Sequence, residues 1–228
     1  MTSHPPLISV LMPVYNAERY IGEAVESILA QTFGDFQCHI VDDGSTDGSL
    51  KILEKYAAAD ARIRLRSRPN AGLVATLNEM LDDASGKFIA RMDADDISLP
   101  TRFQQQIDFL NQHPQVAMVG TWVDVIDPQG RRLRTAEVPT ESDALVEQLL
   151  DRGGQLVFHP SIMVRREEIE KAGGYIADRF PAEDLHLFLK LAETSQIANI
   201  GEVLLRYREH PTKVGFRLGG RGGLLCHR

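Results

Sequence analysis

Cysteine and tryptophan are nearly absent from this chain, long apolar runs are missing altogether, and positive charge is in deficit. From two cysteines, Cys38 and Cys226, among 228 residues, neither a disulfide framework nor a zinc spacing can be built. Cys38 falls inside an apolar run and reads as a small buried side chain. No stretch approaches the roughly 20 apolar residues that a membrane helix needs. Residues 7–12 are apolar but short, lack a basic flank and end at Pro13, so they do not read as a signal peptide. The expected setting is therefore cytoplasmic and reducing, with peripheral contact at the inner face of a membrane left open. Lys and Arg number 25 against 32 Asp and Glu, a net charge of -7, which excludes a non-specific grip on nucleic acid. An acidic protein that binds a diphosphate must neutralise it locally, with a metal, a helix N-terminus or a few basic side chains.

What is present is ordinary globular composition, 43% hydrophobic and 25% charged, at a length that suits one domain. From residue 7 to about 125, short β-rich apolar runs alternate with amphipathic segments. Strands are expected at 7–12, 36–41, 62–66, 87–92 and 116–126. Helices are expected at 18–31, 47–59, 71–84 and 102–112. Residues 126–140 read as a hairpin or loop. Residues 141–194 read as mostly helical, interrupted by a strand-like run at 158–164, and 197–207 closes as a strand. This order predicts an α/β fold, a mostly parallel sheet with helices on both faces. Such sheets bind ligands beyond the carboxyl ends of their strands. Four consecutive strand ends carry polar, turn-forming residues: Pro13-Val14-Tyr15-Asn16, Asp42-Asp43-Gly44-Ser45, Arg68-Pro69-Asn70-Ala71-Gly72 and Asp93-Ala94-Asp95-Asp96.

The last of these holds three carboxylates within four residues. Left unpaired they repel and raise one another's pKa, and a divalent cation relieves the repulsion. Mg²⁺ or Mn²⁺ takes oxygen ligands and is held by one or two carboxylates plus substrate phosphates. If direction alternates along the chain, Asp93 and Asp95 point the same way and form the ligand pair. Asp96 would then point away and cap the turn or the helix that begins near Pro100. The competing reading is a solvated acidic turn, since D-x-D is a common string. The apolar strand in front and Leu99-Pro100 behind favour the site.

Asp43 could accept a hydrogen bond from a nucleobase, while Asp47 or Ser45 is a good N-cap for the next helix. Residues 43–54 (DGSTDGSLKILE) also match much of a calcium-loop pattern. That pattern needs a helix on both sides, and here a strand precedes it. A calcium binder is the non-enzymatic alternative. Glu183-Asp184 and His159 are ambiguous on the residues alone. The first reads equally as first-turn acidity complementing a helix dipole, the second as a packed or hydrogen-bonded histidine.

In this order and spacing the chain resembles the inverting family 2 glycosyltransferases of GT-A fold, over about residues 7–212. The resemblance is carried by Ile8 to Asn16 (ISVLMPVYN), Gln31-Thr32-Phe33, Val41 to Asp47 (VDDGSTD), Asn70-Ala71-Gly72, Asn78 and Asp93-Ala94-Asp95-Asp96. It continues through Pro100-Thr101-Arg102, His159-Pro160-Ser161, Glu183-Asp184 and Tyr207-Arg208-Glu209-His210. It implies a catalytic domain over 1–212, with a donor-binding half at about 7–125 and an acceptor half at about 126–212. It places Pro13, Tyr15, Asn16, Asp43, Asn70 and Asp93 on the donor. Asp95 would bind Mg²⁺ or Mn²⁺, with Asp93 and His210 close to it. Asp184 would be the general base, and Glu183 and His159 would lie on the acceptor side. The partners implied are a nucleotide-diphosphate sugar, UDP being the expected carrier, and a glycan or lipid-linked acceptor, as in cell-surface polysaccharide synthesis. The Q-x-x-R-W motif of processive members is missing, so single transfers are expected. Residues 213–228, rich in glycine, read as an irregular or truncated tail. A sugar-phosphate nucleotidylyltransferase is the enzymatic alternative, but Pro13-Val14-Tyr15-Asn16 stands where its glycine- and arginine-rich signature would be.

Overall fold

The computed structural model describes residues 4–152, 156–211 and 213. Strands β1 (Ile8–Val14), β2 (Phe36–Asp42), β3 (Ile63–Ser67) and β4 (Phe88–Arg91) pair in parallel, in the spatial order β3-β2-β1-β4. Helices α1 (Ile21–Leu29), α2 (Ser49–Ala59) and α3 (Leu73–Asp82) connect them. Beyond β4 the sheet becomes mixed. The short β5 (Ile97–Ser98) and helix α4 (Arg102–Gln112) lead to the long β6 (Val116–Ile126), which forms a hairpin with β7 (Arg132–Ala136). Helix α5 (Ser142–Arg152) precedes a 3-10 turn at His159–Ser161 and β8 (Met163–Arg165), which pairs antiparallel with both β4 and β6. Helices α6 (Arg166–Lys171) and α7 (Glu183–Ala192) precede β9 (Gln196–Arg208). β9 runs parallel to β6 and antiparallel to β5.

The alternation of side chains along a strand divides the core between the two faces. Val10, Met12 and Val14 of β1 pack with Ile21, Val25 and Ile28 of α1, Leu53 of α2 and Phe103 of α4. Leu11 packs on the other face with Leu77 of α3, Leu145 of α5 and Leu187 and Phe188 of α7. The α1 positions recur at the three- and four-residue spacing of one helical face.

Most expected elements appear within a few residues of their expected bounds, and the exceptions have identifiable causes. Helix α1 starts at Ile21 rather than at residue 18 because the amides just before it are held by another loop. Asn16, Ala17 and Glu18 donate to Ser45 Oγ at 2.9 Å, Ser49 Oγ at 2.9 Å and Asp47 Oδ2 at 3.0 Å. The run at 158–164 is a strand only over Met163–Arg165. Its first half is the 3-10 turn, where Pro160 has no N–H to give to a ladder. Two-residue β5 carries no periodicity that a sequence could display. The expected tail lies outside the described residues, Lys213 excepted. Among the described residues, no helix is long and apolar enough to cross a membrane.

Candidate active site

The loops after β1, β2 and β3 are sewn together over the carboxyl edge of the parallel strands. Asn16 lies at φ 51, a left-handed value that asparagine tolerates better than most residues. Its Oδ1 accepts from the Thr46 amide at 2.8 Å. Asp47 Oδ1 accepts from the Ser49 amide at 3.0 Å, but the N-cap of α2 is Gly48, with no side-chain cap, rather than the expected Asp47 or Ser45. Asp43 is buried. Its carboxylate accepts from Arg68 Nη1 and from the Ala71 and Gly72 amides, the latter two at 2.9 Å. Asn70 Nδ2 donates to the Asp43 carbonyl at 2.8 Å. Gly44 has φ +75, and a Cβ there would stand 2.7 Å from the Asn70 nitrogen. The calcium-loop positions are therefore engaged in holding loops together, and β2 stands where a calcium hand would need a helix.

After β4 the chain leaves the sheet and turns. Ala94 and Asp95 form a turn, so strand alternation does not carry through residues 93–96. The expectation that Asp96 points away to cap a turn or helix is overturned. Oxygen atoms of Asp93, Asp95 and Asp96 lie within 4.8 Å of one another. Helix α4 has no side-chain cap. Asp96 is completely buried, and its Oδ1 accepts from the Arg208 amide at 2.8 Å. Arg208 Nε donates to the Asp95 carbonyl at 2.8 Å, so the end of β9 anchors the turn. Burial pushes the Asp96 carboxyl up to about 8; Lys213 opposes this, while Asp95 and Asp93 add to it. Burial also works against the Asp95 carboxylate, but Lys213 and His210 overcome it and hold that carboxyl down at about 2.

The trio suits a hard divalent cation. All its donors are carboxylate oxygens, the set that Mg²⁺ and Mn²⁺ prefer. Asp96 Oδ2 is buried without a hydrogen-bond partner, an arrangement that costs free energy unless something else satisfies it. His210 Nε2 is 2.7 Å from Asp95 Oδ2, and its ring packs 5.0 Å from that of Tyr20. The structure thus sets His210 against the trio through Asp95.

Across the cleft, Glu183 and Asp184 open helix α7. Glu183 is buried, and its Oε2 has no partner. Burial pushes its carboxyl up, and the Asp184 charge adds to the rise. Burial also raises the Asp184 carboxyl against the pull of the Leu185 amide, which donates to Asp184 Oδ1 at 2.7 Å. His159 Nε2 lies 2.8 Å from the Tyr175 hydroxyl, and burial pushes the pKa of the ring well below the usual histidine range. Arg91, at the end of β4, connects the two sides. It is 2% exposed, and its Nη2 donates to Asp93 Oδ1 at 2.6 Å. Its charge also acts on Asp184, Glu183 and His159.

A cleft of about 1390 Å³ runs between these walls. Pro13, Tyr15, Asn16, Asp43, Asn70, Asp93, Asp95, His159, Glu183, Asp184 and His210 all line it, so every residue singled out for a role faces one space. Arg68, Arg91, Asp96 and Lys213 were not singled out for this site. For Arg91 and Arg68 the available signal was a cation at or just past a strand end beside carboxylates. For Lys213, a position in an aperiodic tail hid it.

A family model described as Glycosyl transferase family 2 matches residues 9–173. The chain belongs to glycosyltransferase family 2. The protein described as O-antigen biosynthesis glycosyltransferase WbnJ, from Escherichia coli, is 32% identical over 208 residues, covering 90% of this chain and 80% of that protein. The fold is GT-A. S. aureus TarS in complex with UDP-GlcNAc superposes with a TM-score of 0.73 at 22% identity, over 90% of this chain and 59% of that one. The mannosyltransferase PcManGT of Pyrobaculum calidifontis, in complex with GDP-Man and Mn²⁺, superposes with a TM-score of 0.68 at 21% identity, over 95% and 60%. This glycosyltransferase chain therefore spans about three fifths of those solved chains.

Proposed function

We propose that this chain transfers one sugar from a nucleotide-diphosphate donor to a hydroxyl of a glycan or lipid-linked acceptor, with inversion at the anomeric carbon. The observation that carries the reading is the placement of Asp184, Asp93 and Asp95 on the walls of one cleft, with Asp96 buried beside the two aspartates, in a family 2 chain. The donor's base would lie by Pro13, Tyr15 and Asp43. Three protein hydrogen bonds already hold the Asp43 carboxylate, which leaves it capacity for one more donor such as a base N–H. Asn16 and Asn70 would shape this end by holding its loops. Asp93, Asp95 and Asp96 would hold Mg²⁺ or Mn²⁺, with His210 beside them. A bound metal supplies charge stabilisation to the leaving diphosphate.

Asp184 would accept the proton of the acceptor hydroxyl as that oxygen forms its bond to the anomeric carbon. The bond from that carbon to the diphosphate oxygen breaks, and its electron pair leaves with the nucleotide. The raised carboxyl of Asp184 suits a base, because proton affinity nearer working pH improves transfer. The Arg91 charge opposes that rise. Glu183 and His159 would border the acceptor. Residues 7–125 would then supply most of the donor side and 126–212 most of the acceptor side. The O-antigen relative supports a role in cell-surface polysaccharide synthesis, and the two solved neighbours support a nucleotide sugar. UDP is our expected carrier, and a cytoplasmic setting, with or without contact at the inner membrane face, our expected place.

The test is nucleotide release from a panel of UDP- and GDP-sugars, with Mg²⁺ or Mn²⁺ and an acceptor mixture, for the wild-type chain and for Asp184→Asn. Sugar transfer that depends on Asp184 supports the reading. Undiminished transfer by the variant would remove Asp184 from the chemistry.

A further inference from the structure

Lys213 puts its ammonium into the carboxylate trio. Nζ lies 3.1 Å from Asp95 Oδ1, 2.9 Å from Asp96 Oδ1 and 3.7 Å from Asp93 Oδ2. The side chain is 9% exposed, and Nζ stands 3.8 Å from the centre of the Tyr207 ring. Its backbone amide donates to the His210 carbonyl at 3.0 Å, which sets the lysine one turn beyond the histidine that meets Asp95. A monovalent, three-donor cation thus sits among the same oxygens that suit a divalent one.

We propose that Lys213 is a displaceable occupant of the metal position: its ammonium neutralises the trio when no divalent cation is bound and leaves when one enters, so that this residue sets the metal affinity of the site. The inference rests on the metal reading above. A Mg²⁺ or Mn²⁺ ion would approach its carboxylate oxygens to about 2.1 Å. An ammonium within hydrogen-bond distance of two members of the trio occupies that space, and two cations so close in a buried setting repel strongly. Lysine suits such exchange, because it is a compact point charge on a flexible stem that can retract into water. A metal that binds only when the lysine is out has its apparent affinity reduced by the fraction of time the lysine is out. Metal entry and departure of the Lys213 ammonium are then one event.

Two measurements on the full chain, without nucleotide, test this. Mn²⁺ binding is titrated by calorimetry on wild type and on Lys213→Met, with about tenfold or greater tightening expected in the variant. Acetylation of lysine amines is timed by mass spectrometry on wild type, with and without saturating Mn²⁺. Lys213 should react several-fold faster with metal, while the exposed Lys51 and Lys55 keep their rates. The second measurement separates displacement from simple charge repulsion and needs no variant to fold. Mn²⁺ affinity within twofold of wild type in Lys213→Met, or a Lys213 acetylation rate indifferent to Mn²⁺, would overturn the proposal. So would the absence of Mn²⁺ binding to either protein. Donor turnover without metal would, in that last case, leave glycosyl transfer standing.

Discussion

Arg91 Nη2 donates to Asp93 Oδ1 at 2.6 Å, and the guanidinium is almost completely buried. This one cation pairs with a member of the carboxylate trio, and its charge also acts on Glu183 and Asp184 at the start of α7. It stabilises negative charge on both walls of the cleft at once. Removing one member of a buried ion pair leaves the other uncompensated, which costs about 3–5 kcal/mol. Arg91→Met should therefore lower the unfolding free energy, read from urea denaturation, by up to that amount. Where the variant folds, the acid limb of its pH–rate profile should move to higher pH, because Asp184 loses a cation that favours its ionised form. An unchanged midpoint together with an unchanged profile would show that Arg91 supports neither wall.

Asp184→Asn keeps the shape of the side chain and removes the proposed base. Transfer should fall by about 10²–10⁴-fold, the usual contribution of a positioned base. Donor affinity, measured by calorimetry, should stay within a few-fold of wild type, since the residue is placed on the acceptor wall.

The same carboxyl fixes the pH dependence. Asp184 must be ionised to accept a proton, and burial raises its pKa. Activity should accordingly fall, as pH decreases, at a pH above the usual aspartate value of about 3.9. A kcat profile flat down to that value would contradict the assignment. The group should also contribute unfavourably to stability when ionised, because its folded pKa is raised. Protonation should therefore recover stability as pH falls through that raised pKa.

Asp95→Ala removes a carboxylate that the protein holds ionised at about 2. Metal-stimulated donor binding should be lost, while binding without metal should change little. Calorimetry showing unchanged donor affinity in the presence of Mn²⁺ would displace Asp95 from the metal.

Gly44→Ala places a Cβ 2.7 Å from the Asn70 nitrogen at a backbone angle, φ +75, that L side chains rarely adopt. The strain should cost about 1–3 kcal/mol, read as a lower urea midpoint. Donor affinity should weaken with it, because the same contact holds Asn70 against Asp43. Wild-type stability in this variant would mean that the two loops separate easily.

The sequence by itself determined the alternation of strand and helix, because side-chain periodicity is a local property and residues 7–125 obey it. It also determined that Pro13 to Asn16, Asp43, Asn70 and Asp93 to Asp96 follow successive strands, and topology alone then sends them to one edge of a parallel sheet. Only the tertiary structure decided which of those groups share a point in space. Asp96 joins Asp93 and Asp95 because the turn after β4 abandons the alternation that would have sent it elsewhere. Its carboxyl is met by the Arg208 backbone amide and the Lys213 ammonium, which come from the far end of the chain. Likewise the environments of Asp184 and Glu183 depend on Arg91 and on burial against other segments. Burial and Coulomb fields are sums over neighbours distant in sequence, and no local spacing encodes them.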